Sequence, residues 1–212
     1  MHNSDNSVDI LRRVALRLKV PYQSRLTALY LLNKALVTNK KAEKFMICAC
    51  LSISMKACET VRKLKDIYQC LLLVMYNTSQ ELDSKQLSTI RDSVMNCERI
   101  LLEQEEYSIA QHSCRACFSF VQLALPLDNI LQIAANAWRV FSDAYSSFVC
   151  ARYPQHIVAF AAARLAFRMS AVSPPKQFSR KEFFQDCSID IVLADGAIVS
   201  RRMLICPCCF VS

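Results

Sequence analysis

The stretch ICACLSISMKACETVRKLKD, Ile47 to Asp66, decides the fold. It opens on small and apolar residues, Ile47, Cys48, Ala49, Cys50, Leu51 and Ile53, with nothing aromatic or charged among them. A helix of that composition can be touched by neighbours on nearly every side, and the rest of the chain organises around it. Lys56 then follows with no carboxylate in the preceding turns, with Glu59 three residues on and the basic segment Arg62-Lys63-Leu64-Lys65 next. A long cation at the end of a buried helix needs an explanation, because burying an unpaired charge is expensive. Two readings stand. The Lys56 stem packs while its ammonium reaches water, or the ammonium sits at the rim to meet a partner protein.

Outward from that stretch, the single glycine of the chain, Gly196, sets the fold class. Hairpin turns and strand-to-helix corners depend on glycine, so the chain reads as all-α. The same scarcity excludes a dinucleotide fingerprint and a phosphate loop. The 212 residues, 53% of them apolar, suffice for one large domain or two small ones around sizeable cores. A net charge of +8 comes from scattered lysines and arginines with few aromatics between them, which reads as solvated helix faces and predicts no direct nucleic-acid binding. The polar start MHNSDNSVD is not a secretory signal, and the apolar runs are too short to cross a bilayer. The 12 cysteines therefore read as reduced, buried small hydrophobes of an intracellular protein.

In chain order, Ser7 caps a first helix in which Val8, Leu11, Ala15 and Leu18 recur, and Lys19-Val20-Pro21 ends it. A second helix runs from about Ser24 to Val37 with Leu26, Leu29, Leu32 and Leu36 inward. The central stretch follows the polar turn Asn39-Lys40-Lys41. A fourth helix starts near Thr60 and carries Ile67, Leu71, Val74 and Met75. After a polar connection from Asn77 to Ser84, a fifth shows Leu87, Ile90, Val94, Cys97 and Leu101 at helical spacing. Tyr107-Ser108-Ile109 breaks the period. Cys114, Cys117, Phe118 and Val121 resume it as far as Leu125-Pro126, and one long helix is predicted from Asn129 to Phe148. Past Tyr153-Pro154, the run HIVAFAAARLAF is the counterpart of the central stretch, which suggests two related bundles. Pro174-Pro175 reads as a loop and Arg180 to Cys187 as a short helix.

Catalytic and metal chemistry find little support. His112, Cys114 and Cys117 are equally an inward helical pattern, and Cys206, Cys208 and Cys209 lack a fourth ligand. Three histidines and one glycine give no nucleophile, base and oxyanion constellation. No enzyme, cofactor or metal is expected.

With these residues in view, the chain resembles the transcription-type cyclins through two tandem cyclin boxes over roughly Val8 to Asp190. The resemblance rests on the small-residue helix ending in Lys56-Ala57-Cys58-Glu59, the basic segment with Asp66-Ile67, and the run Arg91-Asp92-Ser93 to Cys97-Glu98. In the second box it rests on Ala137-Trp138, Asp143, Tyr153-Pro154, His156-Ile157 and Ala161-Ala162. It implies residues 1–106 as an N-terminal helix and first box, 107–190 as a shortened second box, and 191–212 as a divergent cysteine-rich tail. It further implies a nuclear regulatory subunit that forms a heterodimer with a cyclin-dependent serine/threonine kinase. Lys56, Glu59, Glu98, Leu102 and Tyr107 would form the kinase-binding face. The chain departs from the pattern at Cys58, at Gln104-Glu105 where the family tends to be apolar, at Ser113-Cys114, and after Asp190. A cyclin-fold transcription factor that contacts promoter DNA, or a helical adaptor without kinase activation, are the alternatives.

Overall fold

The computed structural model describes residues 2–38, 44–78, 82–107, 109, 115–122 and 129–174. All regular structure among the described residues is helical, as the glycine count implies. The chain divides into two compact units, Met1–His112 and Ser113–Ser212.

In the first unit, helix α1 (His2–Arg17) lays Val8, Leu11, Val14 and Ala15 on the core. It begins well before the predicted cap: Ser7 lies inside the helix and is buried, so it is not the first residue of the helix's N-terminus. Helix α2 (Tyr22–Thr38) starts directly after Pro21, whose carbonyl takes the Arg25 N–H at 3.0 Å, and buries Leu26, Leu29, Leu32 and Leu36 as expected. Helix α3 (Lys44–Ala57) is the central one. Met46 to Leu51 and Ile53 to Met55 are buried, and α3 packs against α1, α2, α4 and α5. A helix of 14 residues rich in cysteine and serine is marginal alone. Burial of Ile47, Leu51 and Ile53, each worth about 1.5–3 kcal/mol, therefore holds it, rather than local propensity.

Helix α4 (Leu64–Tyr76) starts later than the predicted Thr60. Residues 58–60 are taken by the cap of α3, and Lys63 is extended ahead of the first turn. Helix α5 (Ser84–Gln104) opens on a reciprocal capping box, in which the Gln86 N–H donates to Asp83 Oδ1 at 2.7 Å and the Asp83 N–H to Gln86 Oε1 at 3.2 Å. Ser84 thus belongs to the helix, not to the connection before it. Only Ile90, Val94 and Leu101 of α5 are fully buried, while Leu87 and Cys97 are half-buried.

In the second unit, α6 (Arg115–Gln122), α7 (Ile130–Ala144) and the short α8 (Val149–Arg152) surround α9 (Gln155–Met169). The helix predicted from Asn129 to Phe148 ends earlier, at Ala144, and α8 begins only after Phe148. Its chain turns at Ser146 and Ser147, where the Ser147 hydroxyl donates to the Ala144 carbonyl at 2.9 Å and competes with helix continuation. Helix α9 is buried from Ile157 to Ala163 and again at Ala166 and Phe167, with Phe160 edge-on to Phe120 at 5.4 Å. The predicted helix at Arg180 to Cys187, Pro175 of the predicted loop and the tail lie outside the described residues.

Four helices end in the same way despite the lack of glycine. Lys19, Glu59, Glu106 and Ala171 occupy the left-handed region after α1, α3, α5 and α9. In each case the next residue's N–H closes a six-residue cap on the last turn, as Thr60 does on Met55 at 2.8 Å. Glycine's usual place is filled by ordinary residues.

Candidate functional site

Lys56 leaves the core at the last turn of α3, and the cap formed by Glu59 and Thr60 fixes the direction of the chain there. Its ammonium does not wait alone. It donates to both carboxylate oxygens of Glu98 on α5, at 2.9 and 2.8 Å, across 42 positions of sequence. The pair is asymmetric: the Lys56 side chain is 55% exposed and that of Glu98 only 15%. The lysine head group thus remains accessible from solvent while the carboxylate that holds it is largely covered. The exposed head group fits the first reading of Lys56, an ammonium that reaches water.

Leu102 lies one helical turn beyond Glu98 on α5 and is half-buried, which puts an apolar neighbour on the same face. Tyr107 follows the end of α5, is 70% exposed, and sits at φ 59°. Glu59 is exposed at φ 55°, and its visible task is the backbone cap; it makes no ion pair among the described residues. The structure thus brings Lys56 and Glu98 into contact, sets Leu102 beside them in register, and leaves Glu59 and Tyr107 outside the pair. Around it, burial pushes the Cys48 and Cys50 thiols far up and keeps them protonated. Cys58 and Cys97, next to the pair in sequence, are half-buried, and the seven described cysteines are thiols rather than disulfide halves.

Sequence reasoning missed a second polar cluster at the far end of α5. Lys34 Nζ lies 2.6 Å from Glu105 Oε1, the Tyr30 hydroxyl donates to Glu105 Oε2 at 3.3 Å, and Gln104 donates to the Thr38 hydroxyl at 3.1 Å. The available signal was Tyr30, Lys34 and Thr38 recurring every four residues on an otherwise apolar helix, opposite the unusual polar pair Gln104-Glu105. Nothing local joins the two segments.

Among the described residues, no group of three histidine, cysteine or acidic side chains could hold a metal, and no helix is long and apolar enough to cross a membrane. Cys117 is fully buried in the second unit, whereas His112, Cys114, Cys206, Cys208 and Cys209 lie outside the described residues.

No protein-family model matches the chain. It is 27% identical over 166 residues to the CTD kinase subunit beta of Schizosaccharomyces pombe, a match covering 69% of this chain and 44% of that protein. Its fold is similar to a chain in the crystal structure of the yeast RNA Pol II CTD kinase CTDK-1 complex, with a TM-score of 0.75 at 18% identity. That match covers 92% of this chain and 62% of the other. The chain therefore spans less than half of its curated relative and under two thirds of its structural neighbour.

Proposed function

We propose that this chain is a transcription-type cyclin, the regulatory subunit of a cyclin-dependent serine/threonine kinase that acts in the nucleus. The similar CTD kinase subunit and the shared fold support that reading. Residues 1–106 would be the N-terminal helix with the first box, and 107–190 the shortened second. The run from Arg91 to Glu98 and Gln155-His156-Ile157-Val158 are most like cyclin Q, the partner of cyclin-dependent kinase ten. The observation that carries the reading is the Lys56–Glu98 pair at the exit of the central helix.

Such a subunit does no chemistry. A kinase is active when a helix-borne glutamate reaches its ATP-site lysine and its activation loop is ordered. A subunit that binds this arrangement better than the inactive one shifts the population toward it. Lys56, held in one orientation by two hydrogen bonds to Glu98, offers a fixed donor group to that helix. Leu102 and Tyr107 add apolar area beside it, and Glu59 completes the face. Co-expression with cyclin-dependent kinase ten tests this: the full chain should co-purify with the kinase and raise its phosphoryl transfer. Binding to duplex DNA in a gel shift, without kinase capture, would instead favour a cyclin-fold transcription factor.

A further inference from the structure

Helix α5 ends in a geometry that its own sequence does not favour. Glu106 and Tyr107 stand consecutively in the left-handed region, at φ 49° and 59°. For a bulky side chain this is uncommon, because Cβ crowds the following carbonyl, and such a conformation persists only where its surroundings over-determine it. Burial of Tyr107 does not supply that constraint, since the ring is 70% exposed.

The residues just before it are tied to a neighbouring helix. Tyr30, Lys34 and Thr38 stack on one face of α2 at intervals of four. Thr38 receives Gln104, and Lys34 and Tyr30 close a triangle on Glu105, with the Lys34 ammonium also donating to the Tyr30 hydroxyl at 3.3 Å. The Glu105 side chain is only 8% exposed, and both its oxygens are engaged. Burial raises the Tyr30 pKa and would lower that of Lys34, but the hydrogen bonds from Lys34 to Glu105 and Tyr30 outweigh burial and raise it. At neutral pH the triangle thus sets a charged lysine and a neutral phenol donor on the Glu105 side chain. The cap is completed by the Tyr107 N–H, which donates to the Leu102 carbonyl at 2.8 Å. A half-buried charged clasp therefore sits immediately ahead of an exposed aromatic on strained backbone.

We infer that the Tyr30–Lys34–Glu105 clasp is a positioning device for kinase recognition, which holds the Glu106–Tyr107 turn so that the tyrosine ring is set for the partner before binding. The inference rests on the proposed reading of Tyr107 as a kinase contact. It assigns Glu105, Lys34 and Tyr30 a role that none of them fills by touching the partner. Opening the clasp leaves the ring in place chemically but frees the turn, so that ordering it becomes a cost of association.

The test uses the full chain with cyclin-dependent kinase ten as the probe, and measures affinity, thermal melting and amide exchange of residues 105–107. Glu105→Gln should weaken binding about three- to tenfold and speed exchange at Tyr107. Lys34→Met, which opens the clasp from α2, should do the same and serves if the first variant does not fold. Placed on Tyr107→Ala, neither should weaken binding further, because the ring they position is gone. Unchanged affinity in both clasp variants, or an equal loss on the Tyr107→Ala background, overturns the inference. If Lys56→Ala and Tyr107→Ala still weaken binding in that case, the kinase reading stands and only the positioning role falls. If those two bind normally, the reading falls and takes the inference with it.

Discussion

Helices α3 and α9 are each buried on nearly every side, yet one is built with thiols and the other with alanine and phenylalanine. Their exits are alike. Each is followed by a non-glycine residue in the left-handed region, Glu59 or Ala171, and by a polar side chain tied to a neighbouring helix. Thr60 meets Ser24 of α2 at 2.9 Å, and Ser170 meets Asn136 of α7 at 3.1 Å. The difference lies in the cations. Arg164 of α9 lies over Phe160, four residues back on the same helix, at 5.8 Å. Lys56 of α3 is bound by a carboxylate from another helix. A lysine clamped from a second helix makes a two-helix device, and the candidate site is built on it.

The comparison can be broken most strongly at the cores of the two helices. Phe160→Ala should cost about 3–5 kcal/mol and Leu51→Ala about 2–5 kcal/mol, since both side chains are fully buried. Urea unfolding followed by circular dichroism reads both, and a cost under about 1 kcal/mol at either position would show that helix not to be central.

The second test concerns the clamped lysine, with an exposed arginine at the end of α9 as its control. Lys56→Ala should change stability by only about 0–1 kcal/mol, as for other half-exposed ion pairs. At the centre of a kinase interface, however, losing one partner of a hydrogen-bonded charge set costs on the order of 2–5 kcal/mol, or more than tenfold in affinity. Glu98→Ala should do the same, and the double variant should cost less than the sum of the singles. Arg168→Ala, in the last turn of α9, should leave kinase affinity unchanged. Calorimetric titration of each variant with the kinase decides, and normal binding by both α5 and α3 variants removes the functional distinction between the two helices.

Much of this was legible in the residues. The single glycine and the small-residue runs pointed to the helical class and both central helices, because burial on all sides leaves a compositional trace. The inward residues of α2 and α5 followed from spacing for the same reason. Helix starts were less legible: His2 precedes α1's predicted cap, and α4 waits for the cap of α3 to finish. The break at Ser146-Ser147 was hidden because hydroxyl competition with the backbone is weak and depends on local geometry. The Lys34–Glu105 contact joins residues more than seventy positions apart, and only its polarity, not its partner, is written in either segment.

A third test turns on the thiols that α9 lacks. Burial raises the pKa of Cys48 and Cys50, so folded and unfolded chains bind the same thiol protons below about pH 8.5, and above it the unfolded chain loses them first. Stability should therefore fall as pH rises from there, by up to about 1.4 kcal/mol per pH unit for each thiol. Cys48→Ala/Cys50→Ala brings α3 closer to the composition of α9 and should flatten that slope. Cys70, also raised by burial, leaves a residual one. Lys34 and Tyr30, both raised, lose their contributions only above about pH 10, so urea midpoints between about pH 8 and 9.5 isolate the thiols. An unaltered slope in the double variant would assign the pH dependence elsewhere.

The smallest expected effect lies at the shared exits. Glu59 and Ala171 both adopt φ near the left-handed minimum, at 55° and 53°, where a side chain costs about 1–2 kcal/mol relative to glycine. Glycine, however, loses about 0.5–1 kcal/mol more in conformational freedom on folding. The net gain from Glu59→Gly or Ala171→Gly should therefore lie between about 0 and 1.5 kcal/mol each, and the two should add, since each acts only on its own cap. In both caps the stabilising bonds are made by the backbone, Thr60 to Met55 at 2.8 Å and Val172 to Phe167 at 3.1 Å, and survive the change. The two substitutions differ in what else they remove. Ala171 carries no functional group, so its replacement should raise the melting temperature and nothing more. Glu59 is an exposed carboxylate on the proposed kinase face, so Glu59→Gly should raise the melting temperature while weakening kinase affinity. Equal affinity in the two variants would reduce Glu59 to a cap residue and leave Lys56 and Glu98 as the charged part of the face.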